Sequence, residues 1–186
     1  MPAARRQQVA PNGVIGISIF VIAEMMLFAG FISAHSIVKT SALEGWPPPG
    51  QPRLPIGETA INTAALLLSG LFLVLAHRAF HRDAAAAMRK LAVAIGLGAF
   101  FVVFQGAEWV ALLGEGLTVT SSTHGGFFYL IVGTHALHAM AALGVLIWAF
   151  LRFRGGRLVM SELMTAEIFW YFVVGLWPIL YWRVYL

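Results

Sequence analysis

Five stretches of this chain are long and apolar enough to cross a lipid bilayer, and the polar joints between them are short. A spanning helix needs about 20 mostly apolar residues to cross roughly 30 Å of hydrocarbon. Lipid offers the backbone no hydrogen-bond partners, so a helix must satisfy its own N–H and C=O groups. The pattern predicts an all-α integral membrane bundle with five transmembrane helices over residues 13–38, 58–80, 90–113, 125–153 and 163–184. Composition agrees: 60% of residues are hydrophobic, 11% are charged and the mean hydropathy is +0.83, more apolar surface than a water-soluble domain could hide. The joints leave no room for a soluble domain, and no inverted repeat of the kind found in many transporters is visible.

Charge sets the expected orientation. Arg5, Arg6, Arg78, Arg82, Arg89, Lys90, Arg152, Arg154 and Arg157 fall on one side of the predicted helices, and Lys39, Arg53 and Arg183 on the other, a split of nine to three. By the positive-inside rule the N-terminus is cytoplasmic and the C-terminus periplasmic. The net charge of +4 is spread over helix ends and forms no single basic face, which argues against nucleic acid. Arg5 and Arg6 ahead of an apolar run resemble the start of a signal peptide, but that run is too long for one and a retained helix is expected. The joint Trp46-Pro47-Pro48-Pro49-Gly50, followed by Pro52 and Pro55, cannot continue a helix, and Trp46 suits the headgroup layer.

The chain has no cysteine, which excludes disulfides, iron–sulfur clusters, thiolate metal sites and thioether-linked haem. Attention therefore falls on polar residues at membrane depth, each of which needs a reason to be there. Glu24 lies roughly 16 Å into the first helix at 1.5 Å per residue, near the bilayer midplane, where a lone carboxylate would be costly. It is the candidate for proton coupling. Gln105 and Glu108 share a face of the third helix, His135 and His138 share a face of the fourth, and Asn62 with Thr63 and Ser69 offers hydrogen bonds from the second. Asn62, Gln105, Glu108, His135 and His138 are expected to form an interhelical polar network, with Glu108 or Gln105 as partners of the histidines. Axial haem ligation needs histidines on facing helices and zinc needs a convergent cluster; neither pattern is present, so no catalytic, cofactor or metal residue is assigned.

In chain order these elements resemble subunit III of the haem-copper oxidases in its five-helix form. Phe20-Val21-Ile22-Ala23-Glu24-Met25-Met26-Leu27-Phe28 is similar to the first-helix motif with its buried acid. Leu54-Pro55, Asn62-Thr63 and Leu66-Leu67-Leu68-Ser69-Gly70 resemble the start of the next helix, and Gln105-Gly106-Ala107-Glu108-Trp109 the glutamine-to-acid element. Phe127-Phe128 leading to Gly133-Thr134-His135-Ala136-Leu137-His138 resembles the paired-histidine element. The closing motif is represented by Trp170, Tyr171, Phe172 and Trp177, with Tyr171 standing where the family usually has His and Val174 where it has Asp.

The resemblance implies one subunit III domain over residues 1–186 that carries no cofactor of its own. It further implies a partner subunit I that holds haem and copper, bound phospholipid, support for that partner's proton uptake, and a place in the bacterial inner membrane among other oxidase subunits. Two alternatives from the same reading are an accessory protein of nitric oxide reductase and a small proton channel or transporter built on Glu24 and the histidines.

Overall fold

The structure, a computed structural model, describes residues 11–42, 46, 48, 52 and 54–186. Arg5, Arg6 and Arg53, which enter the orientation argument, and most of the proline-rich joint lie outside the described residues. Helix α1 (Asn12–Ser41) begins directly after Pro11, whose carbonyl accepts from the amides of Val14 and Ile15 at 3.0 and 3.2 Å. Pro55 opens α2 (Ile56–Ala79) in the same way, since a proline before the first turn gives up no hydrogen bond the helix could use.

Helix α3 (Ala84–Gly114) starts at Ala84 and not at residue 90, as hydropathy predicts. The carboxylate of Asp83 accepts from Ala86 N at 2.8 Å and caps a run of four alanines, the residue with the highest helix propensity. Arg89 and Lys90 thus sit inside the helix and not ahead of it. Ser122 caps α4 (Thr123–Arg154) through Gly125 N at 3.0 Å, and Gly156, at φ +67°, takes the left-handed turn that ends it. Helix α5 (Met160–Leu180) contains Pro178, which removes one backbone donor, and continues into a π-helical turn at Tyr181–Tyr185.

All five helices are long and apolar enough to span a membrane. Helix α2 packs along α3, while α5 lies against α1, α2 and α4 and forms the centre of the bundle. Trp170 and Trp177 of α5 are fully buried. Between apolar helices in lipid, close packing and hydrogen bonds replace the hydrophobic effect as the force of association, and both are visible around Trp170. A β-carbon at Gly98 would lie 2.6 Å from its ring, so glycine sets how closely α3 approaches α5. The indole donates to Ser69 Oγ at 3.0 Å, and Ser69 donates onward to the Ala94 carbonyl at 2.7 Å, linking α5, α2 and α3. Helix α1 differs: only Phe28 and His35 are buried along it.

Candidate functional site

Two polar assemblies hold four of the five residues expected in one network, and His135 belongs to neither. The first joins α2, α3 and the terminal π turn. Gln105 donates to Glu108 Oε2 at 2.8 Å and to the Tyr185 hydroxyl at 3.1 Å. Thr59 stands 3.1 Å from both carboxyl oxygens of Glu108, and Asn62 donates to the Phe101 carbonyl at 3.2 Å, with Gln105 Oε1 at the longer distance of 3.5 Å. Gln105 and Glu108 are one helical turn apart, so one face of α3 presents both to α2.

Neither histidine joins that assembly. His138 turns to α1, where its Nε2 lies 3.1 Å from Glu24 Oε2. His135 is buried and stacks on Trp177, with ring centroids 5.0 Å apart and planes 30° from parallel; neither of its nitrogens has a hydrogen-bond partner among the described residues. The expected contact with Glu108 or Gln105 is therefore replaced in both cases. Glu108 is already engaged by Thr59 and Gln105, and the indole of Trp177 covers the face of His135.

The second assembly is the Glu24–His138 pair. His138 Nδ1 lies 2.8 Å from the Thr134 carbonyl, and a carbonyl only accepts, so Nδ1 carries a hydrogen. The second nitrogen, Nε2, then faces Glu24 Oε2 at 3.1 Å, within ion-pair distance but outside hydrogen-bond geometry, since that buried oxygen has no hydrogen-bond partner among the described residues. Phe20, Phe28, Phe169 and Phe172 surround the ring at centroid distances of 5.6 to 6.3 Å. An apolar surround of this kind screens charge poorly and strengthens the coupling between the two groups. The side chains of Glu24 and His138 keep 18% and 14% of their exposure, so the pair lies at the flank of the bundle and within reach of a neighbour.

Trp177, in the closing motif, donates to Thr63 Oγ1 at 2.8 Å. Val174 packs against Gly70, where a β-carbon would come within 3.1 Å of it, and Phe172 faces His138. Tyr171 is half-buried one helical turn beyond Glu167.

Sequence reasoning missed a third contact, His77 Nδ1 to Glu167 Oε2 at 2.7 Å between α2 and α5, in which Glu167 is 4% exposed. The signal available was an acid among apolar residues just ahead of the closing motif. Among the described residues no group of three or more histidine or carboxylate side chains converges on a common point.

Comparison with known proteins gives a consistent set of likenesses. A family model described as Cytochrome c oxidase subunit III matches residues 4–186. A probable cytochrome c oxidase subunit 3 of Nocardia farcinica is 28% identical over 182 residues, covering 94% of this chain and 88% of the relative. The cytochrome c oxidase subunit 3 of Dasypus novemcinctus is 30% identical over 181 residues and that of Equus caballus 31% over 179, each alignment covering 91% of this chain and 67% of the relative.

Proposed function

This chain belongs to the cytochrome c oxidase subunit III family, and on that premise we propose that it binds and stabilises the haem- and copper-bearing subunit I and supports its proton uptake without doing redox chemistry itself. As a member of the family it is an accessory subunit of a membrane oxidase complex and a multi-pass membrane protein. A bacterial inner membrane is the proposed location, supported by the Nocardia relative. A cytoplasmic N-terminus and periplasmic C-terminus follow from the basic residues around the α2–α3 and α4–α5 joints, among them Arg78, Arg82, Arg152, Arg154 and Arg157.

The observation that carries the reading is the position of the Glu24–His138 pair, which joins α4 to α1, a helix with little cover of its own. Along α1 the side chains of Ile15, Ile19, Ile22, Met25 and Met26 are exposed, a surface for lipid or a larger membrane subunit. An obligate contact with such a subunit would bury more than about 2,000 Å² in total. A carboxyl and an imidazole 3.1 Å apart beside that surface form a unit able to hold or pass a proton at the contact. Lipid has a fitting place beside it: a groove of about 580 Å³ runs between α1 and α5, lined by Met25, Phe28, Ile32, Leu176 and Ile179, with Arg183 at its end. An acyl chain would meet the apolar walls and a headgroup the guanidinium.

The test is prolonged turnover of the assembled oxidase carrying Glu24→Gln. The proposal expects normal haem content and initial rate, followed by faster loss of activity or slower proton uptake than in the wild type. Unchanged rate, durability and assembly would remove Glu24 from the function.

A further inference from the structure

The end of the bundle opposite His77 gathers polar groups that the proposed function leaves unused. Lys39 near the end of α1, Trp46 in the joint and His124 in the first turn of α4 line one cavity of about 290 Å³, together with Leu54, Ile56 and Tyr185. His124 is 2% exposed, and neither of its ring nitrogens has a hydrogen-bond partner among the described residues. The buried indole nitrogen of Trp46 is likewise without one. The three rings form a stack of edges: His35, 1% exposed, meets Trp46 at 5.4 Å, and Trp46 meets His124 at 5.0 Å.

These groups agree in polarity. An indole N–H and an ammonium only donate, and a histidine ring has at least one N–H in every protonation state. Among the described residues no acidic side chain lines the cavity. Helix α4 also begins here, and the first amides of a helix present positive partial charge to an anion. A buried donor without a partner is costly, and a bound acceptor removes that cost.

We propose that this cavity binds a single phosphate group, held by the ammonium of Lys39, the indole N–H of Trp46 and an imidazole N–H of His124. The site is separate from the Glu24–His138 pair, with Lys39 roughly 22 Å from Glu24 along α1 at 1.5 Å per residue, and does not depend on the role proposed for that pair. The phosphate could be supplied by a phospholipid headgroup or by the free ion, and the cavity's mixed walls accept either.

Isothermal titration calorimetry on the full chain, purified with its membrane partners, tests the site with two probes: inorganic phosphate and dihexanoylphosphatidic acid. Saturable binding of the phosphatidate alone assigns the site to a lipid headgroup, and binding of both assigns it to phosphate in general. In either case Lys39→Gln and His124→Leu should each weaken binding at least tenfold, while His124→Gln, which retains a donor, should stay within threefold of the wild type. Absence of saturable binding of both probes to the wild type would overturn the proposal. So would equal affinity in the wild type, Lys39→Gln and His124→Leu.

Discussion

His138 Nε2 stands 3.1 Å from Glu24 Oε2, with the other ring nitrogen committed to the Thr134 carbonyl. The contact fastens α4 to a helix that otherwise buries only Phe28 and His35. Removing one partner leaves the other polar group in an apolar cage, whereas removing both leaves a surface that lipid or phenylalanine can cover. Glu24→Leu and His138→Leu are therefore each expected to destabilise the bundle more than half as much as the double variant does. A double-mutant cycle on unfolding in detergent should give a coupling of about 0.6 to 2 kcal/mol. Additive effects would show that the two groups do not interact.

Two glycines of α3 that look alike in sequence should behave differently. Gly98→Ala places a methyl group 2.6 Å from the Trp170 ring, and overpacking of this kind costs about 1 to 3 kcal/mol. Gly96→Ala meets nothing within 4 Å, and alanine is the better helix former, so it should be neutral or mildly stabilising. Thermal unfolding of the two purified variants checks the contrast.

The spans, their number and their order were legible in the sequence because lipid forces every crossing segment to be a long apolar helix. The start of α3 was not, because the alanines at 84–87 give a weak hydropathy signal while the cap at Asp83 acts through a single hydrogen bond. Glu24, Asn62, Gln105, Glu108, His135 and His138 stood out as polar groups at depth, and helical spacing correctly put Gln105 on the face of Glu108. Which helix each histidine would meet could not be read from spacing. Residues three apart share a face only loosely, and here His135 turns to Trp177 while His138 reaches α1. The contact between His77 and Glu167 spans 90 positions, and the cluster of His35, Trp46 and His124 draws on α1, the joint and α4. Contacts of that range leave no periodic trace.

The polar lock between α2 and α3 gives a graded prediction. Glu108→Gln retains an acceptor for Gln105 and a side chain that fits Thr59, and should cost about 1 kcal/mol or less. Glu108→Leu removes the acceptor that Gln105 and Thr59 share, leaving Gln105 the Tyr185 hydroxyl and Thr59 the Pro55 carbonyl, and should cost about 1 to 3 kcal/mol, with lower yield of assembled protein. Equal stability of the two variants would show that the network does not hold the helices.

At the His77–Glu167 contact the two partners differ in exposure, 37% for the histidine side chain and 5% for the carboxylate. His77→Leu leaves a buried carboxylate without its imidazole, whereas Glu167→Leu leaves a histidine that water can reach. The first substitution should therefore lower the unfolding midpoint more than the second. The reverse order would contradict the burial of Glu167.

The central claim, that this chain serves an oxidase as a redox-silent partner, is tested most directly by isolating it from its own membrane under mild detergent and recording the optical spectrum before and after stripping its partners. The account predicts that haem absorption and a larger haem- and copper-containing subunit accompany the chain, and that the stripped chain is colourless. Isolation without any haem-bearing partner, or stoichiometric haem on the stripped chain, would contradict it.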